Sequence, residues 1–338
     1  MAERANTAHA FLKAQGLSHA KLAPLAGDAS FRRYFRVEER DKRFVLMDAP
    51  PGRESVGPFL RVARHLLSLG YSAPQVFAAD EAGGFLLLED LGDATYTRML
   101  AREDMEERLY ALAVDLLIDL HKRPIEETVP TGLPAYTDER FLDEALLFAD
   151  WFLPAVTGET VKAGLREGFA ALWPALFARA REVPETLVLR DYHVDNLLWL
   201  SEREGARACG LLDFQDAVRG PVTYDLVSLL EDARRDLAPD LVQRMQERYL
   251  ANFPELDRQV FARSCAILGA QRHCKVIGIF TRLFRRDGKP GYLGHIPRVW
   301  RLLEANVTEP ALQPLANWLD VHVPAALRRA PAPEEMAP

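Results

Sequence analysis

The chain has 338 residues, 49% of them hydrophobic and 27% charged, which fits a folded protein with room for two domains or one large two-lobed one. A formal net charge of -7 argues against a protein built to coat nucleic acid. Three cysteines, Cys209, Cys265 and Cys274, have no paired metal-ligand spacing and are an odd number for a disulfide framework, so a reducing cytoplasm is expected. The N-terminal residues lack the apolar core of a signal peptide, and no uncharged apolar run approaches the ~18 residues of a membrane span, so no membrane contact is expected.

Residues 3–15 read as an amphipathic helix with Ala8, Phe11 and Leu12 on its apolar side. A turn cluster at 27–30 then precedes Phe31, Tyr34, Phe35 and Val37, which read as strand residues. A second strand, 43–48, follows a charged turn at 38–42. Two strands behind a small-residue turn can fold a lid that offers backbone N–H groups to phosphates. The turn lacks the full G-x-G-x-x-G pattern, so an ordinary hairpin is an equal reading. After Pro50-Pro51-Gly52, apolar residues at helical spacing predict a helix over 54–69, ended by Gly70. Strands follow at 75–79 and Phe85–Glu89, and the order suits a small antiparallel sheet with one helix. The acidic turn Glu89-Asp90-Leu91-Gly92 ends this part, and the chain beyond is mostly helical. The boundary is placed there: an N-terminal lobe at 1–92, a helical lobe at 93–329 and a disordered tail at 330–338.

Helices are expected at 104–122, 138–152 and 159–180, the last kinked at Pro174. The most informative run is Leu187-Val-Leu-Arg-Asp-Tyr-His-Val-Asp-Asn-Leu-Leu-Trp-Leu200, which reads strand, loop, strand. Asp191 and Asn196 stand in its loop, and Asp213 ends the next apolar run, 208–212. An Asp, an Asn five residues later and an Asp about twenty beyond form a residue set for phosphoryl transfer. The first Asp takes the acceptor's proton, and the other two hold Mg²⁺ on nucleotide phosphates. A helix at 222–233 carries Asp225 inside an apolar segment, where a carboxylate needs donors, so it is expected to brace the loop. His193 also reads as a loop brace. Helices follow at 239–252, 257–284, 296–305 and 310–320.

Over residues 20–305 this order of parts resembles the aminoglycoside phosphotransferase and choline kinase branch of the kinase-like fold, most specifically in Asp191 to Asn196, Leu-Leu-Asp-Phe-Gln-Asp (211–216) and Tyr-Asp-Leu (224–226). More narrowly, Gly-Asp-Ala-Ser-Phe-Arg-Arg-Tyr-Phe-Arg (27–36), Met-Asp-Ala-Pro-Pro (47–51), Leu-Leu-Leu-Glu-Asp-Leu-Gly-Asp (86–93), Arg-Asp-Tyr-His-Val-Asp-Asn-Leu (190–197) and the 271–283 segment are similar to the bacterial anomeric amino-sugar kinases of peptidoglycan recycling. The resemblance implies an α+β, two-lobed protein-kinase-like fold: a small antiparallel β-sheet lobe with one helix, and a mostly helical C-lobe. It implies an ATP- and Mg²⁺-dependent kinase for the C1 hydroxyl of N-acetylmuramate and N-acetylglucosamine.

On that resemblance Asp191 is the catalytic base and Asn196 and Asp213 are the metal ligands. The expected nucleotide contacts are Ser30, Arg32, Arg33, Glu54, Glu89, Asp90 and Leu91, with Glu54 on the following helix paired to one of the arginines. The expected sugar contacts are Glu144, Trp151, Asp216, Gln271, Arg272 and His273. Two positions depart from the pattern: Leu189-Arg190 replace His-Gly before Asp191, and Met47 stands where a phosphate-binding Lys is usual. Arg32 and Arg33 are the nearest substitute cations. A kinase for another hydroxylated acceptor, such as an aminoglycoside, choline or homoserine, stays open, as does a non-catalytic nucleotide-binding module. The expected partners are the sugar and ATP, and the expected state is a monomer.

Overall fold

The computed structural model describes residues 2–25, 31–102 and 104–332. The turn cluster at 27–30, with Ser30, and residues 333–338 of the tail lie outside the described residues. The last described residues do not stand apart: Ala330 packs against the helical core.

By compactness the chain forms two units: Met1–Asp119, Glu126–Thr131 and Val194–Ala217 in one, and Leu120–Ile125, Gly132–His193 and Val218–Pro338 in the other. The first unit is built on a five-stranded antiparallel sheet. Its strands are β1 (Lys21–Pro24), β2 (Arg33–Glu39), β3 (Lys42–Asp48), β4 (Val76–Asp80) and β5 (Phe85–Glu89), in the order β1-β2-β3-β5-β4. Strand β1 has only one intermediate and three exposed positions, too little apolar signal to be seen in the sequence. Phe31 was expected in the strand; it lies before β2 and is exposed, with the Arg53 guanidinium 4.9 Å from its ring centre. Helix α1 (Ala2–Ala14) covers one face through Ala8 and Leu12, which pack with Val37, Leu46, Phe85 and Leu87. Helix α2 (Gly57–Ser68) buries Phe59, Leu60, Val62, Ala63 and Leu66 at helical spacing. It starts three residues later than the sequence suggested, so Glu54 precedes it in the turn after Gly52, whose φ of 81° suits glycine alone.

Compactness does not divide the chain at Gly92. Helix α3 (Glu106–His121) is tied back by the Tyr71 hydroxyl, which donates to Asp119 at 2.6 Å. The hairpin that carries Asn196 and Asp213 is stitched to the same unit. The Leu211 N–H donates to the Ser72 carbonyl at 2.9 Å, and the Trp199 N–H to the Ala94 carbonyl at 2.8 Å.

The second unit is helical. Helix α4 (Asp138–Leu147) runs into a wide π turn, Phe148–Phe152, where the sequence suggested an unbroken helix. The expected helix at 159–180 is two, α5 (Ala163–Ala170) and α6 (Trp173–Ala180). Pro174 sits in the first turn of α6, where its missing N–H costs nothing, so it starts a helix rather than kinking one. A two-stranded ribbon pairs β6 (Glu185–Val188) with β9 (Val218–Pro221), which the sequence did not reveal. Helices α7 (Thr223–Leu230), α8 (Pro239–Leu250), α9 (Arg258–Asp287), α10 (Ile296–Asn306) and α11 (Gln313–His322) complete the unit. Helix α9 is its post, with 18 residues buried along 30. At Gly278 any Cβ would collide with the backbone of Leu147 and Phe148, so glycine permits the close approach to the π turn.

Candidate active site

In the second unit the chain leaves β6 at Val188 and enters the Asp191 loop. Asp225, on α7, accepts the N–H of Leu189 at 2.6 Å and of Arg190 at 2.9 Å. The Ser228 hydroxyl donates to the Arg190 carbonyl at 3.2 Å, and the His193 N–H to the Asp191 carbonyl at 3.2 Å. Asp225 therefore braces the loop, as its place in an apolar helix suggested. Burial pushes its carboxyl up to about 7, against the pull of its two amide donors. Arg190 holds φ at 70°, in the left-handed region that costs a side-chain-bearing residue about 1–2 kcal/mol. Its guanidinium is buried and paired with Glu144.

Burial opposes ionisation of Asp191, yet its carboxyl lies below the ordinary carboxylate range because Lys275, His193, Arg190 and Arg272 gather positive charge around it. His193 adds little at neutral pH, since burial pushes its ring down to about 4. The cations that keep Asp191 ionised are therefore Lys275, Arg190 and Arg272.

The expected sugar contacts divide sharply. Glu144 takes Lys275 at 3.1 Å as well as Arg190 and the Tyr136 hydroxyl. Trp151 is half-buried in the π turn. Gln271 is fully buried and spends its amide on the Phe141 carbonyl at 2.9 Å. His273 is also buried, 2.7 Å from Glu231. The latter two side chains join helices: His273 reaches back to the end of α7, and Gln271 to α4. Arg272 is buried and acts on Asp191, His193, Asp225 and Asp232.

In the first unit Asn196 and Asp213 stand at the same end of one hairpin. Strands β7 (Leu197–Trp199) and β8 (Cys209–Leu211) pair with Leu197 opposite Leu211. The Leu212 N–H donates to the Asn196 carbonyl at 2.9 Å. The pairing brings the Asn and the Asp side by side although 17 positions separate them in sequence. Asp213 holds φ at 56°, which Asp tolerates better than most residues, and accepts the Gln215 amide at 2.8 Å. An amide oxygen and a carboxylate on adjoining strand ends suit a hard divalent cation whose other positions go to water and phosphate oxygens.

A cavity of about 440 Å³ adjoins this hairpin end, lined by Arg32, Gly52, Arg53, Glu54, Ser55, Pro58, Gln215 and Asp216. Phe214 stacks on Phe59 of α2 at 5.0 Å, which fixes the strip from 213 to 216 against that helix. Arg32 is 3.8 Å from Glu54, whereas Arg33 is spent on Asp48 at 2.5 Å. Of the two candidate cations, only Arg32 lines the cavity. Met47 is fully buried in β3. Asp216, expected at the sugar, lies on this cavity. At the acidic turn, Glu89 pairs with Arg203 at 2.5 Å and Asp90 with Arg36 at 2.8 Å. Both carboxylates are thus engaged in ion pairs.

Sequence reasoning missed Lys275, Gln215 and Arg4. Lys275 had a signal: a lysine amid residues that otherwise read as buried helix. Arg4 had none. It bonds Asp48 at 2.8 Å, 44 residues away, and the Gly83 carbonyl at 2.6 Å, 79 residues away.

Solved structures share this fold. An ADP-bound aminoglycoside phosphotransferase, APH(2'')-Ib, aligns with a TM-score of 0.59 at 18% identity, covering 90% of this chain and 98% of its own. A choline kinase, LicA from Streptococcus pneumoniae, aligns at 0.59 and 11% identity, covering 88% and 96%. The phosphotransferase enzyme family model matches residues 21–258. The chain belongs to the phosphotransferase enzyme family and is an enzyme of that kind. It is similar to proteins named N-acetylmuramate/N-acetylglucosamine kinase. That of Caulobacter vibrioides is 36% identical, covering 97% of this chain and 99% of its own. That of Pseudomonas aeruginosa is 40% identical, covering 89% and 88%.

Proposed function

We propose that the chain is an ATP- and Mg²⁺-dependent kinase that phosphorylates the anomeric hydroxyl of N-acetylmuramate and N-acetylglucosamine, working in the cytoplasm as a monomer. The observation that carries the reading is similarity along nearly the whole chain to kinases named for these two sugars. The functional lobes divide at Gly92: residues 1–92 take the nucleotide and 93–329 carry the catalytic loop and the acceptor.

Asp191, kept ionised by its cations, accepts the proton of the C1 hydroxyl. That hydroxyl is more acidic than an ordinary alcohol, so a weak base suffices when it is well placed. Asn196 and Asp213 would hold Mg²⁺, which when bound would neutralise phosphate charge during transfer. Arg32 supplies the fixed cation that Met47 cannot, and Glu54 aims it, as a bidentate guanidinium suits phosphate oxygens. The backbone at 89–91 receives adenine. Arg272 and Trp151 remain acceptor contacts; the bonds of Gln271 and His273 favour a supporting part behind them.

The test is ADP release across an acceptor panel of N-acetylmuramate, N-acetylglucosamine, an aminoglycoside, choline and homoserine. The two sugars should turn over far ahead of the rest, and Asp191→Asn should lose about 10²–10⁴-fold. Turnover confined to another acceptor would sink the sugar assignment, and an active Asp191→Asn would remove the base.

A further inference from the structure

Glu144 faces too many donors for a sugar contact. Its carboxylate takes the Arg190 guanidinium, the Tyr136 hydroxyl and Lys275 Nζ at 3.1 Å, with Arg140 at 4.0 Å. The Tyr136 hydroxyl also lies 3.0 Å from that of Tyr224. Arg190 of the loop, Lys275 of α9 and Tyr136 thus meet on the one carboxylate that α4 presents, and Tyr136 links it to Tyr224 of α7. The charges favour the arrangement. Two buried cations, Arg190 and Lys275, share Glu144, and an ionised Asp191 supplies the second negative charge. Arg190 makes the point sharper. A glycine would hold φ at 70° without cost, so the backbone gives no reason for an arginine there. The side chain is the reason, and its guanidinium pairs with Glu144.

We propose that Glu144 is a positioning residue for Asp191. By gripping Arg190 it works with Asp225 to lock the backbone that enters Asp191, so that the carboxylate meets the acceptor hydroxyl at the right angle. The inference rests on the reading of Asp191 as the base. It reassigns Glu144 from the sugar to the loop, and Lys275 is the cation that keeps Glu144 in place.

The experiment is a kinetic cycle on the full chain: wild type, Glu144→Gln, Arg190→Gly and the double variant, with ATP, Mg²⁺ and N-acetylglucosamine. Misplacing a reacting group by a fraction of an ångström to one ångström costs on the order of tenfold to a hundredfold. Glu144→Gln should therefore lower kcat about tenfold or more while sugar KM stays within about twofold. Arg190→Gly should lose a similar factor, and the double variant should be no slower than Arg190→Gly alone. Glu144→Asp, which keeps the charge, should recover part of the loss. If Glu144→Gln does not fold, Glu144→Asp completes the same cycle. A raised sugar KM with kcat retained would show that Glu144 touches the sugar, and an equal kcat loss in both backgrounds would show that it does not act through Arg190. Either result overturns the proposal. The cycle is read in parallel on ADP release without acceptor, where Asp191 meets water. A wrong acceptor then shows itself as absent sugar turnover in wild type, leaving the cycle readable.

Discussion

Asp191 and Asp213 both follow short strands, and each depends on a residue held at positive φ: Arg190 at 70° and Asp213 itself at 56°. Their surroundings differ. The backbone before Asp191 is held by Asp225, Ser228 and Glu144, all buried or nearly so. Asp213 is half-exposed, and Gln215 steadies it beside an open cavity. The contrast matches what each has to do in the proposed reaction. A general base must be placed before the acceptor arrives, because misalignment costs rate directly. A metal ligand is completed by the incoming nucleotide, so the protein can leave its oxygen accessible.

The comparison can be broken most forcefully on the metal side. Asp213→Asn keeps the shape of the hairpin end but removes its charge. It should reduce kcat/KM by about a hundredfold or more and raise the Mg²⁺ needed for half-maximal rate. An unchanged Mg²⁺ requirement would move the ligand elsewhere. Arg32→Ala should raise ATP KM about tenfold, as expected for a lost charge-assisted contact to phosphate, with Arg33→Ala within about twofold. The reverse ranking would contradict the cavity-based choice between them.

The smallest effect sharpens the buried side. His193 is held near pKa 4 when folded, against about 6.5 unfolded. The unfolded chain therefore binds the extra proton first. The contribution is complete above about 6.5 and is lost as pH falls towards 4, a change of a few kcal/mol at most. Asp225, pushed up to about 7, contributes the opposite slope over the same window. The His193 part is therefore read as the difference between wild type and His193→Gln in thermal unfolding from pH 7 to 4: the variant should lose less stability, or gain more, as pH falls.

The layout of the loop was legible because the apolar runs and their polar breaks carry it. Asp191, Asn196 and Asp213 lie at ends of apolar runs, and Asp225 stands in a segment too apolar for an unsupported carboxylate. The helical packing around them was less so. Gln271 and His273 looked available because their helix also carries Arg272, and a sequence does not say which polar side chains on a buried helix bond inward. Pro174 was misplaced because a proline at a helix start and one at a kink leave the same local pattern. Strands β1 and β9 are four residues each, too short to show a period. The choice of Arg32 over Arg33 needed the register that sets Arg33 opposite Asp48.

The most direct test of the central claim is the position of the phosphate on the product. The chain is incubated with ATP, Mg²⁺ and N-acetylmuramate, and the product is read by phosphorus–proton correlation NMR. A phosphorus coupled to the anomeric H1, absent with Asp191→Asn, is the predicted result. Phosphate on any other hydroxyl, or none under conditions where ATP binds, would contradict the account.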